Sequence, residues 1–256
     1  MKVLLAGETF LAMTTVCVGG DTVTNTGWTN GALAFKAALD AAGIAVTQIG
    51  SEHCSADFPR TLAELTKYDA VILSDIGAMT LLITPDARGG KTGPNRLELL
   101  KAYVAAGGGL MLAGGYMGFQ GMFGTAQFAD TAVEDVLAVR CLPYSDGLEV
   151  PEGLAATLLQ PTHPILAGIV EPLPPILGLN KLDFRGDDAS TLLAVCQYRG
   201  KDWPLLAVRR YGAGRSVIWS TDIGPHWLSR DFLEWSLYGT LMANIVRWIC
   251  QTDTTP

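Results

Sequence analysis

The segment YVAAGGGLMLAGGYMGF (residues 103–119) contains the end of a helix, a buried strand and a glycine-rich turn, without one charged side chain. The short apolar run at 110–113 fits a strand that is buried on both faces. Gly114, Gly115 and Gly118 then provide the backbone freedom for a sharp turn. Such a turn presents its side chains at the carboxyl end of a parallel sheet, where open α/β folds bind ligands. The pattern Gly114-x-Tyr116-x-Gly118 has the outline of a nucleophile elbow, with tyrosine where serine or cysteine is expected.

Apolar runs and amphipathic segments alternate through the first half of the chain. The pattern predicts strands at 2–7, 45–50, 70–75 and 110–113, and helices at 29–43, 59–68 and 95–107. This alternation is typical of a right-handed, doubly wound parallel sheet with helices on both faces.

The second half has a different pattern. Strands at 191–198, 204–211 and 216–221 are joined by tight connections, which predicts an antiparallel extension of the sheet. A helix at 231–250 closes the fold, and the proline-rich residues 144–190 are expected to form a surface connection with one or two short elements. We expect residues 1–256 to form a single domain.

Composition excludes several classes of partner. A net charge of −7 argues against nucleic acid, which requires clustered Lys and Arg. Glu8 interrupts the first apolar run, so no signal peptide is expected and the cytoplasm is the predicted compartment; no membrane partner is expected either. The 49% hydrophobic content favours a homo-oligomer, and Trp235, Tyr238 and Trp248 of the last helix are candidates for its interface.

Four segments carry a family resemblance: AGETF (6–10), VILSDIGAMTLL (71–82), GGGLMLAGGYMGFQGMFG (107–124) and THPIL (162–166). Together they resemble the putative glutamine amidotransferase-like cytoplasmic proteins of the class I glutamine amidotransferase-like superfamily. The resemblance implies a flavodoxin-like α/β sandwich. Active members carry a cysteine in G-x-C-x-G and a His-x-Glu after a late strand. Here Tyr116 stands at the cysteine position and Ser220-Thr221-Asp222 at the His-Pro-Glu position, so the resemblance implies no working glutaminase triad.

Three loops should converge at the carboxyl edge of the sheet. They contribute the candidate ligand-binding residues Glu8, Thr9, Asp75, Gly77, Gly114, Gly115, Tyr116 and Met117. Asp222 and His226 would reach the same edge if the strand before them is parallel to the central ones. The alternative for Glu8, Asp75 and Asp222 is that their carboxylates cap the turns or helices that follow their strands.

Two hypotheses follow for function. The first is a binding or assembly protein whose crevice recognises a small polar ligand. The second is a hydrolase-type enzyme that uses Tyr116, His226 and Asp222 as its catalytic group, since carboxylates and histidine perform acid–base chemistry. Cys54 beside His53 is a weaker nucleophile candidate, because neighbours in sequence rarely face one substrate. Neither common nucleotide-binding motif nor a C-x-x-C pair occurs, so no cofactor and no metal site is predicted.

Overall fold

The computed structural model describes residues 1–252, and its strands and helices are as follows. The strands are β1 (Lys2–Gly7), β2 (Thr9–Val18), β3 (Asp21–Asn30), β4 (Ala45–Ile49), β5 (Ala70–Ser74), β6 (Gly109–Ala113), β7 (Val139–Cys141), β8 (Gly147–Leu154), β9 (Ala156–Leu158), β10 (Ile176–Asn180), β11 (Leu182–Phe184), β12 (Ser190–Tyr198), β13 (Lys201–Tyr211) and β14 (Gly214–Trp219). The helices are α1 (Leu33–Ala41), α2 (Ser51–Asp57), α3 (Leu62–Leu65), α4 (Ala78–Leu82), α5 (Pro85–Arg88), α6 (Arg96–Ala105), α7 (Ala132–Val136), α8 (Arg230–Glu234) and α9 (Tyr238–Ile249).

An eight-stranded sheet in the order β4-β1-β5-β6-β14-β13-β12-β9 forms the centre of the protein. The first five strands of that order are mutually parallel. The last three strands continue it in antiparallel pairs. The predicted α/β class, a mostly parallel flavodoxin-like sheet with an antiparallel extension, is therefore confirmed.

Two apolar layers cover the sheet. On one face α1 and α9 pack through Phe35 and Leu241 against sheet residues such as Met111. On the other face α2, α4, α6 and α7 pack against the alternate side chains of the same strands, including Leu110 and Leu112. Because both faces are covered, β5 and β6 are buried along their whole length, which explains their uninterrupted apolar sequences.

Several predicted elements are wrong in position or number. The hairpin of β2 and β3 was not predicted, although Gly19-Gly20 between two β-rich segments is a turn signal. The predicted helix at 59–68 is only the short α3, and α2 precedes it. Residues 144–190 contain four strands (β8, β9, β10 and β11) rather than one or two short elements, because their prolines lie mostly outside the ladders.

The predicted last helix is divided into α8 and α9. The side chains of Tyr238 and Trp248 are only 4% and 3% exposed and belong to the core against the sheet, and Trp235 packs on it as well. The prediction of a subunit interface is therefore wrong for Tyr238 and Trp248, which the fold itself buries, whereas Trp235 is half-buried.

None of the helices within residues 1–252 has the length and apolar content that a bilayer span requires.

Candidate functional site

The loops after β1, β5, β6 and β14 meet at the carboxyl edge of the sheet and enclose a cavity of about 480 Å³. They meet because these four strands are parallel neighbours, with β1 and β5 at the point where the strand order reverses. The walls of this cavity are formed by Glu8, Phe10, Thr29, Asn30, Gly31, Asp75, Tyr116, Asp222, Pro225 and His226. Five residues that the sequence placed at this edge, Glu8, Asp75, Tyr116, Asp222 and His226, thus lie around one cavity.

Glu8 is the most deeply buried acid of the cavity, with 3% of its surface exposed. Its Oε1 accepts a hydrogen bond of 2.5 Å from the hydroxyl of Ser74. Burial, and next the negative charge of Asp75, raise the pKa of Glu8 to about 7. Glu8 is therefore partly protonated near neutral pH.

Asp75 and Asp222 face each other across Gly115. Oδ1 of Asp75 accepts from the backbone amide of Met117 at 2.8 Å, and burial raises the pKa of Asp75 to about 6. Burial, followed by the charge of Asp75, holds the pKa of Asp222 well above its usual range. The three acids are neighbours, so the negative charge of one carboxylate disfavours ionisation of the next. This repulsion separates their pKa values.

The capping alternative applies to one of the three acids. Oδ2 of Asp222 accepts from the backbone amide of Trp227 at 2.8 Å and so caps the turn that follows β14. Helix α1 begins after Ala32 and α4 after Gly77, and neither helix receives a side-chain cap. The carboxylates of Glu8 and Asp75 are bound instead by Ser74 and by Met117.

The glycine turn after β6 brings these acids together. Gly115 has φ of +125°, and a Cβ at this position would lie 2.6 Å from Oδ1 of both Asp75 and Asp222. A Cβ at Gly114 would lie 2.3 Å from the carbonyl oxygen of Ser220. Only glycine therefore allows the two carboxylates and the β14 loop to approach the turn this closely.

Asn180 of β10 fixes the conformation of this turn. Its Oδ1 accepts from the amide of Gly115 at 3.1 Å, and its Nδ2 donates to the carbonyl of Gly115 at 3.2 Å and to Asp146 at 2.8 Å. The turn continues into a 3-10 turn (Met122–Gly124) rather than an α-helix. The amides of Gly115 and Met117 are therefore already bound by side chains, and they are not available as an anion site.

Tyr116 is a hydrogen-bond donor in this site. Its hydroxyl donates to Oε1 of Glu149 at 3.0 Å. Burial, and then this bond to the Glu149 carboxylate, raise the pKa of Tyr116 to about 12. The hydroxyl therefore stays protonated at neutral pH, which makes it a poor nucleophile.

His226 lies between two acids at the rim of the cavity. Its Nε2 is 3.7 Å from Oε2 of Glu149, and its Nδ1 is 3.9 Å from Oδ2 of Asp222. Its ring contacts Tyr116 edge to face, with 5.1 Å between centroids. Trp227 donates from Nε1 to Glu149 at 2.9 Å. Tyr116, Glu149 and His226 thus form one polar cluster.

Glu149 is the residue of this cluster that the sequence analysis missed. It lies on β8, within the segment that was predicted to be a surface connection. A single glutamate between prolines gives no sequence signal for a site, and only the pairing of β8 with β10 brings it to the cavity.

Three backbone conformations at the cavity are unusual. Glu8, Asp75 and His226 have φ of 62°, 45° and 110°, in the left-handed region that favours glycine. Each such residue carries a strain of roughly 1–3 kcal/mol, and such outliers concentrate at functional sites. Their coincidence around one cavity supports a functional role for it.

The remaining predicted site residues lie beside the cavity. Thr9, Gly77 and Met117 line a second cavity of about 300 Å³, which shares Phe10 and Asp75 with the first. Thr9 bonds to the start of α2 by accepting from the amide of Ser51 at 2.7 Å. Gly114 is covered by the β14 loop. The structure therefore divides the predicted ligand-binding residues between two adjoining cavities, except Gly114 and Gly115, which line neither.

Cys54 is not placed for nucleophilic chemistry. It is fully buried in the core, and its thiol donates to the carbonyl of Ile49 at 3.3 Å. Burial raises the pKa of Cys54 to about 12, which keeps the thiol protonated. The side chain of His53 is exposed and faces Glu52 instead.

The acids of the cavity do not form a metal-binding arrangement. Within residues 1–252 there is no group of three His, Cys, Asp or Glu side chains whose geometry could hold a metal ion.

Comparison with known proteins gives a consistent result over almost the whole chain. The model of a family described as putative glutamine amidotransferase, GATase1_like, matches residues 2–251. Cytoplasmic protein STM3548 from Salmonella typhimurium is 31% identical, with a TM-score of 0.91 over 97% of this chain and 99% of that one. Cytoplasmic protein STM1381 from Salmonella typhimurium LT2 is 32% identical, with a TM-score of 0.90 over 97% and 99% of the two chains. No curated protein matches the chain.

A more distant likeness concerns the fold alone. A cold-adapted β-galactosidase from Rahnella sp. R3 is 14% identical, with a TM-score of 0.52 over 86% of this chain and 26% of that one. The α/β fold therefore also occurs as one part of a much larger enzyme.

The raised pKa of Glu8 predicts how stability depends on pH. Because the folded-state pKa of about 7 exceeds the usual 4.5, the stabilisation from the protonated form is complete below pH 4.5 and is lost as pH rises through 7. Glu8→Gln keeps an acceptor for Ser74 and removes the charge. The free energy of unfolding of Glu8→Gln relative to wild type should rise by roughly 2–3 kcal/mol between pH 4.5 and pH 8, measured by urea denaturation across this range.

Glu64 provides a control of opposite sign. Hydrogen bonds from the backbone of Arg60 and from Thr61 hold the pKa of this exposed carboxyl below its usual range. Glu64→Gln should therefore lose stability relative to wild type as pH rises to about 5, where the unfolded carboxyl finishes ionising, and should change little from there to pH 8. A Glu8→Gln difference that is the same at pH 4.5 and pH 8 would contradict the raised pKa of Glu8.

Proposed function

The chain belongs to the family of putative glutamine amidotransferases, and we propose that within it this protein binds a small polar ligand and does not hydrolyse glutamine. We place it in the cytoplasm as a single domain, as its similarity to two cytoplasmic proteins over nearly their full length suggests. The observation that carries the proposal is the grouping of Glu8, Asp75 and Asp222 around one cavity.

Glutaminase chemistry lacks its nucleophile at this site. A glutaminase of this superfamily forms a thioester on cysteine, and the central residue of the turn here is Tyr116. The raised pKa of Tyr116 keeps its hydroxyl protonated and bound to Glu149. Ser220, directly after β14, stands where the histidine would be. The site therefore lacks both the nucleophile and the base that activates it.

The polarity of the cavity selects the charge of its ligand. Glu8, Asp75 and Asp222 offer acceptor oxygens, and the described lining includes no lysine or arginine. At an effective dielectric constant near 20, two unit charges 4 Å apart interact by about 4 kcal/mol. A carboxylate or phosphate would be repelled on this scale, whereas an ammonium group or a hydroxyl-rich molecule can donate to these oxygens.

The size and walls of the cavity fit a small organic molecule. Its volume of about 480 Å³ lies in the range that small-molecule sites occupy. Phe10, Pro225 and Tyr116 supply apolar surface beside the acids. We therefore propose a neutral or cationic ligand that has hydrogen-bond donors at one end and a carbon skeleton that contacts these walls.

One observation favours a second candidate, a hydrolase-type enzyme. The pKa values of Glu8 and Asp75, about 7 and about 6, allow one carboxyl to be protonated and the other ionised near neutral pH. Such a pair can supply a general acid and a general base. The cluster of Tyr116, His226 and Asp222 would then orient the bound group.

Glutamine hydrolysis should be absent. Ammonia release from glutamine by the purified protein should equal the rate without protein, because Tyr116 cannot form the thioester intermediate. Tyr116→Cys should also remain inactive, since the activating histidine is missing. The measurement is a coupled glutamate dehydrogenase assay for ammonia.

Cys54→Ala is the decisive control for this assay. Glutamine turnover that survives repurification and disappears in Cys54→Ala would overturn the proposal and make Cys54 the nucleophile. Turnover that is unaffected in Cys54→Ala but lost in Tyr116→Phe would instead assign the chemistry to the cavity.

Ligand charge should determine binding. In calorimetric titrations at pH 8, putrescine or glucose should bind, whereas glutamate and inorganic phosphate should not. Asp75→Asn keeps an acceptor for the amide of Met117 but removes one charge. It should weaken putrescine binding at least tenfold, about 1.4 kcal/mol, and should not lower thermal stability, because burial already disfavours the charge of Asp75.

Asp86→Asn is a matched control, because Asp86 lies away from the cavity and pairs with Arg60. It should bind putrescine as the wild type does. Preferential binding of phosphate or glutamate would contradict the proposed ligand class. Slow cleavage of a bound amide or glycoside that is lost in both Asp75→Asn and Glu8→Gln would favour the hydrolase.

A further inference from the structure

The hairpin of β2 and β3 projects from the fold as an arm, which we define as residues 9–30. Residues 10–29 are all exposed. The arm is joined to the body at its base, where Thr9 accepts from the amide of Ser51 and Asn30 donates to Gln48. The two strands are paired along their whole length, from Thr9 with Asn30 to Val18 with Asp21.

Both faces of the arm carry exposed apolar side chains, interspersed with threonines. On one face Leu11 pairs with Trp28, and Met13 follows; Met13 and Trp28 are 66% and 58% exposed. On the other face Val16 pairs with Val23, and both are exposed. Asp21 is the only charged residue of the arm. A surface ribbon would normally have one polar face.

An isolated two-stranded ribbon is at best marginally stable in water. Ten-residue strands span roughly 33 Å at about 3.3 Å per residue. A ribbon of this length that exposes apolar side chains on both faces therefore requires a covering surface. The described part of the body does not bury residues 10–29.

We propose that a second copy of this chain covers the arm, so that two protomers pair through their arms. A ribbon about 33 Å long and roughly 10 Å wide presents on the order of 700 Å² over its two faces. This approaches the roughly 800 Å² that each partner buries in a stable interface of standard size. The arm alone thus supplies most of the surface that a dimer needs.

The distribution of charge permits pairing between two copies of the same chain. The protein carries a net charge of −7, and Asp21 is the only charged residue that the arm contributes to it. Contact through uncharged arms keeps two acidic bodies apart and so limits their repulsion. No basic or acidic pattern on the arm would select a charged partner.

Pairing of the arms would also affect the cavity. Phe10, Thr29 and Asn30 at the base of the arm form part of its wall. Fixing the arm against a second protomer would hold these residues in position. This inference rests on the arm and does not depend on the identity of the ligand.

The test is the molar mass in solution by light scattering after size exclusion. The molar mass of the wild type should be an integer multiple, two or more, of the 27.2 kDa of one chain. Met13→Ser combined with Trp28→Ser should weaken association at least tenfold. The matched control is Phe123→Ser combined with Val170→Ser, two apolar residues that are 85% and 84% exposed outside the arm; it should keep the wild-type mass.

A wild-type mass of 27.2 kDa at every concentration overturns the proposal, as does an arm variant that folds and keeps the wild-type mass. Hydrogen exchange of the unmodified protein provides a measurement that needs no variant. Amides of residues 10–29 should exchange at least tenfold more slowly at high than at low protein concentration. Equally fast exchange at both concentrations would also overturn it.

Discussion

The approach of Asp75 and Asp222 to Gly115 is the contact on which the cavity depends. Both Oδ1 atoms lie only 2.6 Å from the ideal position of a Cβ on residue 115, which is too close for any side chain there. Four parallel strands end side by side here, so the loops that follow them lie at the same edge of the sheet. These loops carry Glu8, Asp75, Tyr116 and Asp222. Any side chain at 115 would separate the loops, and the acids would be hydrated individually instead of enclosed together.

Enclosure gives these acids their chemical character. Removed from water and close to one another, they gain stability by keeping protons, which is why burial is the largest cause of the raised pKa of Glu8 and of Asp75. A donor-rich ligand would replace those protons as the counter-charge. Within the same enclosure Asn180 fixes the turn after β6, and Glu149 holds the hydroxyl of Tyr116.

The sequence predicted the parallel half of the sheet and the grouping of the acids because both follow from local patterns. The buried strands β1, β5 and β6 are largely apolar runs. Glu8 and Asp75 directly follow β1 and β5, and two glycines and Tyr116 follow β6. The arm and Glu149 were not predicted for the opposite reason. The arm alternates threonine and apolar residues on both faces without a core to define a buried side, and Glu149 reaches the site only through the pairing of β8 with β10.

The central claim is that buried acids of this cavity hold protons near neutral pH, and the titration of the Glu8 side-chain carboxyl tests it most directly. Carbon-13 NMR of protein labelled at the carboxyl carbons, assigned by the loss of one signal in Glu8→Gln, follows each carboxyl separately. We predict that the Glu8 signal shifts with a midpoint near pH 7, while Glu64 titrates below its usual range. A Glu8 midpoint below pH 5 would contradict the account, because the carboxyl would then be hydrated and ionised like one on the surface.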